Sequence, residues 1–296
     1  MKHLIFTCIV FSFLALSSIN CNSITNTAPD SVYMDYDHHK VPYKLYAPDE
    51  KYSLHYDLEE ISGLALLNNE RLVAVEDERG YVYVLKAQNG EVERKIKFAK
   101  GGDYEGVEVV GNYVYVVKSN GDIFSFQISD AEEVKADETD TDLSSSNNIE
   151  GLGVLDGKLL IACKGKGEIN DKKVKGKAVY EYIIEEKKIA NEPLFHIEEE
   201  QIEAFIKKRK FFNKIHGFDP SAIAVHPLNS DIYWLSADKV LVVLSPDFKL
   251  KEVVRLDGNI YRQLEGICFA PDGTMYLSSE GDGARGKIFK ISYKSY

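Results

Sequence analysis

Ile149-Glu150-Gly151-Leu152 is one of five versions of a single four-residue phrase. The others are Ile61-Ser62-Gly63-Leu64, Tyr104-Glu105-Gly106-Val107, Pro220-Ser221-Ala222-Ile223 and Leu264-Glu265-Gly266-Ile267. The second residues of successive phrases stand 43, 45, 71 and 44 positions apart. That spacing is the length of a four-stranded propeller blade, and self-similarity at a fixed period reports architecture directly.

A turn and a second β-rich run follow each phrase. Asn68-Asn69 precedes Leu72-Val73-Ala74-Val75, Gly111-Asn112 precedes Val114-Tyr115-Val116-Val117, and Asp156-Gly157 precedes Leu159-Leu160-Ile161-Ala162. Asn229-Ser230 and Pro271-Asp272-Gly273 do the same before Ile232-Tyr233-Trp234-Leu235 and Met275-Tyr276-Leu277. Gly, Asn and Asp tolerate the positive φ that tight hairpin turns require. A third strand follows in each unit, and a fourth is visible at 91–98, 192–197 and 251–256. The fifth unit stops at its third strand. Tyr52-Ser53-Leu54-His55-Tyr56, ahead of the first phrase, is available to complete it and so to remove an open sheet edge.

The long interval leaves about 26 residues beyond one blade, too few for a sixth blade. It predicts a helix near 198–216, with Glu198-Glu199-Glu200 at its start, Lys207-Lys208-Arg209-Lys210 late in it, and Ile202, Phe205, Ile206 and Phe212 as an apolar stripe. These charges complement the helix dipole at both ends. The expected fold is all-β: a five-bladed β-propeller over residues 44–296, closed by an N-terminal strand and carrying one helical insertion.

The first twenty residues differ from the rest. Lys2 and His3 lead into an apolar run from Leu4 to Leu16, too short to span a bilayer, which reads as a removable secretory signal over 1–20. Cys21 then occupies the place of the acylated residue of a bacterial lipoprotein, although Asn20 is a poor match to the small residue usual before it. The expectation is an exported, periplasmic or outer-membrane-associated lipoprotein, held by a lipid anchor through a polar tether over 21–43; the alternative is simple secretion. A formal net charge of -11 argues against nucleic acid or an anionic membrane surface as partner. In the folded part only Cys163 and Cys268 remain, on predicted strands of different blades, where two buried free thiols are favoured over a disulfide. Two cysteines without CxxC spacing and scattered histidines exclude a structural zinc site.

The innermost strand of a blade runs along the central channel. The second residue of each phrase is therefore expected to face the axis, giving a ring of Ser62, Glu105, Glu150, Ser221 and Glu265. A second set, aligned on the turn glycines, contains Asp77, Lys118, Lys164 and Glu280, with its blade-four member near Ser236. Two polar rings at one end of a channel are a candidate site. Two carboxylates about 5 Å apart repel by about 3 kcal/mol at an effective dielectric of about 20, so several need a counter-charge. A hard cation such as calcium supplies one, Lys118 and Lys164 supply another, and raised carboxylate pKa values are a third solution.

Other motifs are weak. Gly165-Lys166-Gly167 lacks phosphate-loop spacing, and Asp137, Asp140 and Asp142 lack the glycine and terminal glutamate of a calcium loop. No GxSxG or HExxH occurs, and His226 reads as a surface turn residue away from the axis, which argues against a Ser-His-Asp hydrolase.

Taken in order, Glu60 to Leu64, Glu76-Asp77-Glu78-Arg79-Gly80, Gly102 to Gly106, Asn148 to Leu152, Pro220 to Pro227 and Leu264-Glu265-Gly266 with Ser279-Glu280-Gly281 form a specific series. From about Tyr43 to Tyr296 the chain resembles the SdiA-regulated family of bacterial β-propellers, distantly related to NHL-repeat proteins. The resemblance implies a five-bladed propeller with a calcium site, and Glu105, Glu150, Glu265 and Glu280 match its acidic positions. With Asp77 they are the candidate metal ligands, while Lys118 and Lys164 stand where further acidic residues are expected. It implies no established reaction. The functional expectation is a monomeric, non-enzymatic envelope protein that binds calcium axially and recognises a protein or glycan through its loop face. The alternative is a calcium-dependent hydrolase of phosphate or lactone esters, with Lys118 and Lys164 holding an anionic substrate; no histidine is aligned as its general base.

Overall fold

Each phrase opens the innermost strand of an antiparallel sheet. The computed structural model describes residues 39–209, 215 and 217–294; the expected signal over 1–20, Cys21, most of the tether and Phe212 lie outside them. A short strand, β1 (Glu50–Ser53), comes first and belongs to the last blade. Blade one is β2 (Ile61–Asn68), β3 (Arg71–Glu76), β4 (Tyr81–Lys86) and β5 (Val92–Lys97), and blade two is β6 (Tyr104–Val110), β7 (Tyr113–Lys118), β8 (Ile123–Gln127) and β9 (Asp137–Thr139). Blade three has β10 (Ile149–Leu155), β11 (Lys158–Cys163) and β12 (Lys177–Ile183); two short strands, β13 (Lys188–Ile189) and β14 (Phe195–Ile197), share the outer edge of β12. After α1 (Glu199–Arg209), blade four is β15 (Pro220–Val225), β16 (Ile232–Ser236), β17 (Val240–Leu244) and β18 (Leu250–Arg255). Blade five is β19 (Leu264–Phe269), β20 (Met275–Ser279) and β21 (Lys287–Ile291), completed by β1.

The inner strands β2, β6, β10, β15 and β19 contact one another in a closed ring, the five-bladed propeller that the repeats predict. Its core is a set of five apolar seams between neighbouring blades. The seam between blades one and two, for example, joins Val73, Val75 and Val84 to Val107, Val116 and Phe124. Second and third strands are buried on both faces, which is why they read as continuous apolar runs rather than alternations.

Two features shift from the sequence expectation. The closing strand is Glu50–Ser53 rather than 52–56, because the chain turns into a single 3-10 turn at Tyr56–Leu58. The Leu54 amide still donates to Gly286 O, at 2.8 Å. The folded unit reaches back into the stretch read as tether, since Val41 and Tyr43 are buried in the seam between blades four and five. The expected helical insertion is present, described over Glu199–Arg209. It buries Ile202 and Ile206 against the seam between blades three and four and packs on β18, covering its own stripe. Cys163 and Cys268 are buried free thiols.

Candidate functional site

In all five inner strands the ladder slips at the same place. The paired residues step from Ile61 to Gly63, Tyr104 to Gly106, Ile149 to Gly151, Pro220 to Ala222 and Leu264 to Gly266, leaving Ser62, Glu105, Glu150, Ser221 and Glu265 as bulge residues. A bulge leaves one residue unpaired and re-aims its side chain. All five stand on innermost strands, which contact one another around the ring. The phrase is thus the sequence imprint of a five-fold bulge. Ser62 uses it to bridge blades, its Oγ donating to Tyr104 O at 2.6 Å.

The carboxylates of this ring act on one another. Glu105 is pushed up from the ordinary 4.5 to about 9 by burial first, then by Glu150, Asp103 and Glu265. Glu265 rises to about 8 through burial, Glu280 and Glu150, against relief from Lys164 and a hydrogen bond from Gln263. Glu280 rises to about 7 through burial, Asp77, Glu60 and Glu150. Burial also raises Asp77, with Glu60, Glu78 and Asp103 adding to it. Glu150 is raised by burial, which Lys164 and Asn148 oppose. Glu105, Glu150, Glu265, Glu280 and Asp77 therefore form one electrostatic cluster at the mouth of the channel, joined by Glu60 and Asp103, which the sequence did not single out. Their signal was proximity to the phrases: each lies two residues before Ser62 or Glu105.

Of the two expected lysines, one belongs to this cluster. Lys164 Nζ lies 3.1 Å from Glu150 Oε1. Lys118 turns along blade two to Asp122, 3.9 Å away, and lines a cavity of about 690 Å³ with Phe98, Tyr104 and Glu138. Two polar oxygens in the mouth are buried without a hydrogen-bond partner, Ser221 Oγ and Asp77 Oδ1. Ser236 Oγ instead accepts from the Asp219 amide ahead of β15 at 3.0 Å and from the Asp238 amide of its own turn at 3.2 Å.

Hard oxygens of this kind suit calcium, whose ligands stand 2.3–2.6 Å from the ion and hence at most about 5 Å from one another. Among the described residues, the trio with ligand oxygens all within 4.8 Å of one another is Asp122, Glu138 and Asp140, an off-axis cluster on blade two that could hold a metal ion. The axial carboxylates are set more widely. Their donor chemistry fits calcium, and side-chain rotation would have to draw them inward around it.

His226, expected on the surface, is fully buried. Its Nε2 lies 2.8 Å from Tyr43 Oη, which in turn donates to Gly273 O at 2.6 Å. Since Tyr43 spends its proton on the carbonyl, His226 is the donor between them. Burial lowers the histidine's pKa, which keeps it neutral in this structural role.

Five blades closed by an N-terminal strand around an acidic axial mouth define a five-bladed β-propeller. Within that class the chain belongs to the SdiA-regulated family, whose model matches residues 50–282. No curated protein matches the sequence. Among solved structures it resembles glutaminyl cyclase from Myxococcus xanthus (12% identity, 84% of this chain and 96% of that one, TM-score 0.54). It also resembles a luciferin-regenerating enzyme (10% identity, 84% and 98%, TM-score 0.51). A third is the PQQ-bound aldose sugar dehydrogenase of Streptomyces coelicolor (13% identity, 83% and 99%, TM-score 0.50). At such identities the likeness is one of fold.

Proposed function

We propose that this protein is an exported, monomeric, envelope-located propeller that takes up calcium at its axial mouth and binds a protein or glycan on the face around it. The observation that supports this is the five-fold bulge, which sets three carboxylates at equivalent places on the inner strands, where among the described residues the ammonium of Lys164 pairs with one of them. Glu105, Glu150 and Glu265 would hold the ion, with Glu280 and Asp77 beside them. When bound, calcium would supply the positive charge that lets the ring carboxylates ionise, and would fix the loops of the recognition face. The export signal at 1–20 and the acylation site at Cys21 remain the basis for the envelope assignment.

Thermal unfolding of the purified protein in calcium and in chelator tests the reading. Calcium at a hundredfold excess over Kd should add about 2.7 kcal/mol of stability, a rise of several degrees in Tm. Glu105→Gln and Glu265→Gln should abolish that rise. An unchanged midpoint in the parent protein would remove calcium from the proposal.

A further inference from the structure

We propose that Lys164 is the built-in counter-cation of the axial ring, and that calcium enters only by displacing its ammonium group. The proposal rests on the calcium reading given above and adds the residue that controls it.

The geometry is specific to this side chain. Lys164 Nζ donates to Glu150 Oε1 at 3.1 Å, and Asn148 Nδ2 donates to the same oxygen at 3.0 Å. Among the described residues this is the ion pair that reaches a ring carboxylate, since Lys118 is turned to Asp122. The ammonium also acts beyond its partner, offsetting part of the rise that burial and neighbouring carboxylates impose on Glu265 and Glu280.

The root of Lys164 is anchored while its stem is free. Its amide donates to Asn148 O at 3.0 Å, and its carbonyl accepts from Lys177 Nζ at 2.7 Å. Lys177 is itself held by Asp219 at 2.9 Å. A four-carbon stem rooted in this way can swing its charge into or out of the ring without moving the backbone.

The ring is also satisfied on one side only. Ser221, 1% exposed and turned by its bulge into the same ring from blade four, has an Oγ with no partner. A buried hydroxyl without a partner marks a place for a ligand or an ordered water. Drawing Glu105, Glu150 and Glu265 around a calcium ion would bring the metal onto the carboxylate whose Oε1 the Lys164 ammonium already neutralises. It would also put two like charges side by side in a half-buried site, where they repel strongly. Metal and ammonium therefore compete for Glu150.

Calorimetric titration with calcium chloride of the full-length protein, Lys164→Gln and Lys118→Gln tests this. Lys164→Gln should bind calcium at least tenfold more tightly than the parent, and Lys118→Gln should match the parent. On the parent protein, labelling with an amine-reactive reagent read by mass spectrometry should show Lys164 becoming more reactive as calcium saturates, while Lys177 does not change. Labelling decides the matter by itself where Lys164→Gln fails to fold. Equal affinities for the parent and Lys164→Gln, or Lys164 labelling indifferent to calcium, would overturn the displacement and leave the calcium site standing. Absence of calcium binding in both proteins would overturn both proposals.

Discussion

A single residue position sets the character of this molecule. The second residue of each phrase is a bulge residue, and its identity decides whether the axis receives a hydroxyl or a carboxylate. Three of the five are glutamates, and burial with mutual repulsion lifts Glu105 to about 9 and Glu265 to about 8. Glu108, further along β6, is lifted by burial to about 8. Such groups hold protons in the folded state that the unfolded chain releases near 4.5. Between those values the folded state binds more protons, so stability falls as pH rises. The expected result is a calcium-free protein whose Tm is highest near pH 5 and declines steadily toward pH 9, with a shallower decline in Glu105→Gln. A flat profile over that window would show that the ring carboxylates titrate normally. That these five residues share one position on the inner strands was legible because a residue's place on a strand follows from the repeat. The direction of Lys118 was not, because a flexible stem takes whichever neighbour the turns present, and here that is Asp122.

At the scale of the element, the third residue of the phrase explains why blades can crowd together. A Cβ added at Gly106 would lie 2.8 Å from Leu152 Cβ and 3.1 Å from Leu152 N, in the inner strand of the next blade. Gly266 meets Leu64 in the same way across the closing seam. The glycine is there for close approach, with the following apolar residue of the next phrase filling the space. Gly106→Ala should therefore destabilise the protein by about 1–3 kcal/mol in urea unfolding, the usual cost of overpacking against backbone. Fourth strands were the least legible elements. Asp137-Glu138-Thr139 pairs with β8 although it carries no β-rich pattern, because charged residues are tolerated on a short edge strand. The outer edge of blade three is divided between β13 and β14 by a break at 190–194, which contains Asn191 and Pro193.

Across the whole molecule, closure is made twice. The strand β1 completes blade five, and ahead of it Val41, Tyr43 and Leu45 enter the seam between blades four and five. Tyr43 is fixed there by His226 and Gly273, more than 180 residues away in sequence. Tyr43→Phe leaves a buried imidazole N–H and a buried carbonyl without their partner, and should cost about 1–3 kcal/mol in chemical unfolding. A value near zero would mean that the segment adds little to the closed ring. The sequence by itself determined the number of blades, their hairpins, the need for an N-terminal closing strand and the five equivalent positions on the inner strands. These follow from a local pattern that repeats, and a repeated pattern folds into a repeated unit. Only the tertiary structure decided which polar groups share the mouth, that Lys164 alone of the two lysines joins them, that an acidic trio gathers off-axis on blade two, and that His226 is buried as a latch. Those outcomes depend on side chains brought together from different blades, and their meeting is set by how blades pack around the axis rather than by any spacing along the chain.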